Sequence, residues 1–499
     1  MVMIKNSFVF VLGIIMQLFI SLSVCVFFRD YMFEIFILCK FLGFMIVISI
    51  YYKSRSLSYD IPWIILIMLF PVVGTVLYIV LGTNICINKK LRKLNKNIKN
   101  MGKYLMIDNY VSKEINDRGL DKLKYISSMG YSVTKFNKVM YYSLGELEFQ
   151  DMLKELKSAK KFIFIEFLTI SIGKMWNDIL EILEEKIKEG VEVRIIYDAI
   201  GCTSKIPSNY HKQLEDRGIK CVVFNKSNIF IGSGMRNRDH RKIMIIDGFC
   251  AFSGGINLSD EYINLKKKYG HWKDVGTCVF GESVWNYTVM FLTVWNSYRN
   301  EDNDFNIYKY YFGNKYNSNG YISAYGNNPL DNELLGRNIY LNIINQAKKY
   351  VYIYTPYFVV DREVENALVL CAKRGVDVRI VVPDIPDKKS VYMVSCSYFE
   401  FLIKKGVKIY KYVPGFMHGK VILCDDMIAT VGSINFDYRS FYLDFECGLY
   451  MENVDVIKDI KKDMDITINK SHKVVLKECM GNIFTKISFC ILRFFSIFM

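Results

Sequence analysis

Two histidine–lysine pairs open the chemistry of this chain. His240 and Lys242 stand two residues apart, as do His418 and Lys420. Each pair heads the same longer pattern, H-x-K-x(4)-D-x(6)-G-[GS]-I-N. In the first copy this gives His240, Lys242, Asp247, Gly254, Gly255, Ile256 and Asn257; in the second, His418, Lys420, Asp425, Gly432, Ser433, Ile434 and Asn435. A lone H-x-K carries almost no information. Two copies with the same spacing carry a great deal, because they use two of only five histidines (the others are His211, His271 and His472).

The residue types fit phosphodiester chemistry. A neutral imidazole can attack phosphorus and form a phosphohistidine. A second imidazole, as imidazolium, can protonate the leaving alcohol, and an ordinary imidazole titrates close enough to neutrality for both roles. Two ammonium groups and the carboxamides of Asn257 and Asn435 can hold the non-bridging oxygens as charge redistributes. The lysines then do the work a divalent ion does elsewhere. No carboxylate cluster has metal-ligand spacing, so neither a metal nor another cofactor is expected. Which histidine attacks is not written in the residues.

Each pair must be positioned by a strand. Ile243–Ile246 and Val421–Cys424 are apolar runs, and in a strand residues i and i+2 share a face. His240 and Lys242 therefore project together, as do His418 and Lys420. Asp247 falls on the opposite parity, and Asp247-Gly248 reads as a hairpin turn, with Asp425-Asp426 a weaker version. Upstream, Lys188–Asp198 and Lys373–Pro383 echo one another: a helix end, a glycine stop at Gly190 or Gly375, then a buried strand. Aromatic β-rich runs, 162–168 and 350–358, precede them. Strands alternating with helices argue for an α/β layer architecture. The glycine landmarks lie 185 residues apart and the histidines 178, so a lobe of roughly 150–180 residues is duplicated rather than a short solenoid unit.

The chain has 499 residues and a net charge of +15, with 8 prolines and 75 aromatic residues. This excludes a small disulfide scaffold, a disordered chain and a Pro-rich or collagen-like one. The charge favours an anionic partner, whether nucleic acid, anionic lipid or a phosphate-bearing substrate. Thirteen scattered cysteines, an odd number without C-x-x-C, read as reduced thiols. The amino-terminal region is apolar in three runs, 8–28, 35–52 and 61–81. The first and third are long enough to cross a bilayer, and the second is interrupted by Lys40. A cleaved signal peptide fits poorly, because the first run is too long and another follows it. Lys89, Lys90, Arg92, Lys93, Lys96, Lys99 and Lys103 come next with no acid among them. That places the remainder on the cytoplasmic side, against anionic headgroups. The expected organisation is an anchor of two or three membrane helices (1–83), a basic linker (84–135), two lobes (136–305 and 306–470) and an apolar tail (471–499). The tail reads equally as an interfacial segment beside the active-site mouth or as a core helix.

The duplicated H-x-K-x(4)-D resembles the defining motif of the phospholipase D superfamily, and more narrowly the chain is similar to bacterial cardiolipin synthases. Trp63, Pro71, Gly74, Tyr78 and Gly82 resemble that family's membrane segment. Segments 237–242, 254–262, 272–274, 355–358, 435–441 and 445–446 resemble its site, with Asp239 where asparagine is more usual and Lys273 where arginine is commoner. The resemblance implies an α/β fold of two lobes related by a pseudo-two-fold, each a mixed sheet flanked by helices. It counts His240, Lys242, Asp247, His418, Lys420 and Asp425 as catalytic. It implies transfer of a phosphatidyl group between two phosphatidylglycerol molecules, giving cardiolipin and glycerol at a membrane, with His240 attacking and His418 as the acid. It also implies an acid orienting each histidine, by position Asp274 for His240 and Glu446 for His418. Glu166, on an apolar strand, either lines the site or forms an ordinary salt bridge. The residues themselves reach only phosphodiester transfer at a membrane. A membrane-bound phospholipase D-type hydrolase, a transferase to another alcohol, a nuclease and a non-catalytic binding protein are the alternatives. Nucleic acid is the less favoured partner, because a nuclease would not need the membrane segments.

Overall fold

The computed structural model describes residues 31–498 apart from 55, 86, 106–108, 227–235, 313–315, 317 and 332. The chain divides into two compact units, one made of residues 1–88, 228–236 and 482–499, the other of 89–227 and 237–481.

In the first unit, Met32–Lys53 is a continuous 22-residue helix. It is the one described helix long and apolar enough to cross a membrane. The apolar run at 8–28 lies outside the described residues. The run at 61–81, expected to span as one piece, is instead broken into Leu57–Leu69, Pro71–Leu77 and a wide turn over Tyr78–Gly82. Pro71 supplies the break: it has no N–H to give the preceding turn and pushes Phe70 out of helical geometry, to φ −132° and ψ 76°. Gly74 lets the second piece fold back on the first, since a Cβ there would stand 2.6 Å from the Leu66 carbonyl oxygen. The carboxy-terminal helix Ile483–Phe494 has no buried residue, unlike a core helix.

The second unit carries two mixed sheets. The seven-stranded sheet runs, edge to edge, 137–142, 276–281, 250–254, 242–246, 162–167, 192–198 and 220–224. The eight-stranded sheet runs 321–327, 446–452, 428–432, 421–424, 350–354, 377–383 and 408–412, and adds Ser471–Lys473 at its edge. Strand for strand the first seven positions correspond, so the duplication is structural as well as sequential. The added edge strand carries the second lobe past residue 470.

The glycine stops do what the spacing predicted. Helices Lys174–Lys188 and Arg362–Lys373 end just before Gly190 (φ +87°) and Gly375 (φ +89°), a left-handed geometry that favours glycine. The buried strands Glu192–Asp198 and Asp377–Pro383 follow. These strands pair in parallel with Phe162–Phe167 and Tyr350–Tyr354. The H-x-K strands Lys242–Ile246 and Val421–Cys424 pair antiparallel with those same two central strands. Helix Val284–Tyr298 is apolar nearly all round, with 13 of its residues buried, and packs on strands of both sheets.

The lobes are stitched by backbone. His271–Lys273 runs parallel to Gly415–Met417, and Asp239 bridges Phe445. The amide of His240 donates to the Phe445 carbonyl at 2.8 Å, and that of His418 to the Lys273 carbonyl at 2.7 Å. Each catalytic-type histidine is thus registered against the chain of the opposite lobe.

Candidate active site

This cross-stitching decides which acid meets which histidine. Phe445 precedes Glu446 and Lys273 precedes Asp274, so each lobe's acid is delivered to the other lobe's imidazole. His240 Nδ1 lies 2.8 Å from Glu446 Oε2, and His418 Nδ1 lies 2.5 Å from Asp274 Oδ2. The pairing read from position, Asp274 with His240 and Glu446 with His418, is reversed. Linear order keeps each acid beside its own lobe's motif, and only the inter-lobe ladder reveals the exchange.

With Nδ1 committed to a carboxyl group, Nε2 is the nitrogen of each ring left for a reacting atom. Lys242 and Lys420 are 1 % exposed and fold back so that each ammonium donates to the carbonyl of its own histidine. Lys420 Nζ also stands 3.1 Å from His418 Nε2. The two sets share one electrostatic centre. Burial, then Lys242 and then Lys420, hold His240 well below the ordinary imidazole value. Burial and Lys420 bring His418 down to about 4, against the pull of Asp274. Burial lowers Lys242 and brings Lys420 to about 7. Two buried lysines beside two imidazoles held neutral favour an anion at the centre.

The acids differ. Burial raises Asp274, but His418 and Lys420 outweigh it and hold the carboxyl below its usual range, so it is ionised. Burial drives Glu446 up to about 8 despite Lys242. Glu446 Oε2 accepts from Ser433 Oγ as well as from His240, while its Oε1 is buried without a hydrogen-bond partner. The equivalent of Ser433 in the first copy is Gly255, where a Cβ would stand 2.0 Å from Asp274 Oδ1. The one fixed position of the pattern that differs between the copies therefore makes room for the aspartate in one half and supplies a hydroxyl to the glutamate in the other. His418 is also boxed by aromatic rings, Tyr262, Trp272 and Phe416, at 5.3, 5.2 and 5.7 Å between centroids.

The asparagines differ as well. Asn257 is spent on the protein: its Oδ1 accepts from the Thr169 amide at 3.2 Å and its Nδ2 donates to Tyr262 Oη at 2.7 Å. Asn435 is 5 % exposed and its Oδ1 has no hydrogen-bond partner, leaving it the carboxamide with capacity for a ligand.

Asp247 and Asp425, counted with the catalytic set by resemblance, do something else. The Asp247 carboxylate accepts from the amides of Lys160, Lys161 and Phe162 at 2.7–2.8 Å, and Asp425 does the same for Lys348, Lys349 and Tyr350. Both residues are in the left-handed region, with φ +54°. They lie at the far end of the H-x-K strand, seven residues from the histidine, or about 23 Å along the chain at ~3.3 Å per residue. They are tethers for the turn before the central strand, as strand parity indicated for Asp247. Glu166 also faces away from the centre. It is fully buried against Arg241 at 2.9 Å, and Arg241 in turn holds Asp239 at 3.0 Å.

Sequence reasoning missed Ser433 as a partner of Glu446 and missed Lys388, whose charge bears on His240 together with that of Arg439 from the segment 435–441. The serine was visible as the one difference among the fixed positions of the shared pattern. Lys388 had no such signal.

Residues 152–270 and 340–467 match the family described as "Cardiolipin synthase, PLD-like domain". A cardiolipin synthase of Clostridium perfringens is 35 % identical over 431 residues, covering 83 % of this chain and 88 % of that protein. The chain belongs to the cardiolipin synthase family of phospholipase D-like proteins. Cardiolipin synthase 1 of Staphylococcus aureus is 32 % identical, covering 88 % of this chain and 90 % of the relative. An uncharacterised protein of Streptococcus mutans is 43 % identical, covering 83 % and 90 %. The crystal structure of a phosphatidylserine synthase from Haemophilus influenzae shares the fold at 13 % identity, with a TM-score of 0.55 over 72 % of this chain and 95 % of that one.

Proposed function

We propose that the protein is a membrane-bound phosphatidyltransferase that converts two molecules of phosphatidylglycerol into cardiolipin and glycerol. The observation that carries this reading is the crossed pair of histidine–acid couples around two buried lysines, in a chain of this family. In the first step His240 Nε2 attacks phosphorus, and the bond to the glycerol headgroup oxygen breaks as His418 delivers a proton to it. In the second, His418 takes the proton of a hydroxyl on the next phosphatidylglycerol. That oxygen displaces Nε2 and both histidines return to their starting states. Asp274 is ionised and compensates an imidazolium, which suits His418 to the acid role. Glu446 is held neutral and offers no such compensation, which suits His240 to remain a neutral nucleophile. An anionic phosphodiester beside the lysines raises both imidazoles by favouring their charged forms. Lys242, Lys420 and Asn435 hold the phosphoryl group.

The helix Met32–Lys53 serves as a membrane anchor: 22 residues at ~1.5 Å each match a hydrocarbon core about 30 Å thick. The run at 8–28 would add a second crossing, and the catalytic unit faces the cytoplasm behind its lysine-rich helix. Purified full-length protein in phosphatidylglycerol vesicles should release glycerol and form cardiolipin in equal amounts. Glycerol with phosphatidic acid instead would mean that water resolves the intermediate. Absence of glycerol would overturn the reading.

A further inference from the structure

Three loops meet at one edge of the inter-lobe ladder: 265–270 from the first lobe, and 384–389 and 413–415 from the second. The His271 amide donates to the Pro414 carbonyl at 2.9 Å, and the amides of Asp384 and Ile385 to the Gly415 carbonyl at 3.3 and 3.4 Å. Ile385 Cδ1 lies 3.3 Å from where a Cβ on Gly270 would stand. The tips are apolar and exposed: Leu265 is 54 %, Ile385 40 % and Val413 51 % accessible. Lysines flank them. Lys266, Lys267 and Lys268 are consecutive and exposed, and Lys388 and Lys389 are exposed on the neighbouring loop. Of the acids in these loops, Asp387 is engaged by Tyr357 Oη at 2.7 Å.

Single exposed apolar residues are ordinary on a protein surface. Three on adjoining loops, ringed by ammonium groups, make the pattern of a surface that enters an anionic lipid interface. The position adds to this. The ladder His271–Lys273 and Gly415–Met417 leads directly from these loops to Asp274 and His418. Three residues of strand span about 10 Å, the scale of a headgroup layer. The charge of Lys388 reaches His240, so this rim and the reaction centre are electrostatically connected.

We propose that this rim is a docking surface for an anionic bilayer, which it enters through Leu265, Ile385 and Val413 while Lys267 and Lys268 hold headgroup phosphates, so that a lipid headgroup passes along the ladder to the histidines. The inference rests on the reading that the substrate is a bilayer phospholipid. It assigns to the catalytic unit its own lipid contact, separate from any membrane helix.

The test compares two presentations of one headgroup. Full-length protein is assayed for glycerol release from long-chain phosphatidylglycerol in vesicles and from dihexanoyl phosphatidylglycerol below its micelle concentration. The triple variant Leu265→Ser/Ile385→Ser/Val413→Ser should raise the apparent KM for vesicles about tenfold, as expected for loss of buried apolar area, with kcat unchanged. Its turnover of the dissolved lipid should match the unaltered protein, which also shows that the variant folds. Lys267→Glu/Lys268→Glu should do likewise, with a defect that shrinks as salt is raised. Equal losses on both substrates, or no loss on vesicles, would overturn the docking proposal. If the unaltered protein released glycerol from neither substrate, the proposed function would fail instead.

Discussion

The two halves of the site were built from one pattern and no longer offer one chemistry. In the first, His240 faces a glutamate that burial keeps neutral and that a serine hydroxyl props from behind. In the second, His418 sits among three aromatic rings with an ionised aspartate at its Nδ1. A pseudo-two-fold arrangement of identical couples would leave attack and proton donation interchangeable. Here one substitution within the repeat, glycine at 255 against serine at 433, accompanies a shorter acid in one half and a longer one in the other. The lesson is that a repeated motif places equivalent atoms, while the residues around it set their protonation.

The sharpest way to break the comparison is to neutralise each acid. Asp274→Asn removes a charge that compensates the acid imidazolium, and glycerol release should fall by about 10³–10⁴, the scale seen when a triad aspartate is neutralised. Glu446→Gln replaces a carboxyl group that is already neutral, and the loss should be about 10–100-fold, typical of an outer-shell partner. Equal losses would mean that the two couples are equivalent after all. Next comes the asymmetric position itself. Gly255→Ala drives a methyl group into Asp274, and a displacement near 1 Å at the reacting groups costs about 10²-fold. Ser433→Ala removes one hydrogen bond to Glu446 and should cost only severalfold, about 1 kcal/mol. Steady-state glycerol release by all four variants settles the order.

Smaller effects separate tethers from chemistry. Asp247→Ala and Asp425→Ala each strand three amides and should lower unfolding stability by about 1–3 kcal/mol, measured by denaturant titration. Turnover per folded molecule should stay near that of the unaltered protein. A separate effect is on pH dependence. Folded Glu446 titrates at about 8 rather than 4.5. Between these values the folded state binds the extra proton, so this group costs stability progressively as pH rises through that window. Glu446→Gln should therefore lose less Tm than the unaltered protein between pH 5 and pH 8, and a parallel pair of curves would contradict a neutral Glu446.

Much of this was legible in residues alone. The period-two pattern placed His240 with Lys242 and His418 with Lys420, and the glycine stops marked both helix-to-strand turns. Parity also set Asp247 apart from the site. The exchange of Asp274 and Glu446 was not legible, because it depends on which carbonyls the His240 and His418 amides find across the lobes. The break at Pro71 could have been read from the missing N–H, yet the hydropathy around it is continuous. The fates of Asn257 and Asn435 diverge because Thr169 and Tyr262, brought in by the fold, claim one carboxamide and not the other.

The central claim is that His240 attacks and His418 handles the proton. Phosphatidyl-p-nitrophenol tests it directly, since its leaving group departs without an acid. Rapid mixing followed by peptide mass spectrometry should show a burst of nitrophenol from His418→Ala, with a phosphatidyl adduct on His240. His240→Ala should give neither burst nor adduct. A burst from His240→Ala with the adduct on His418 would contradict the account.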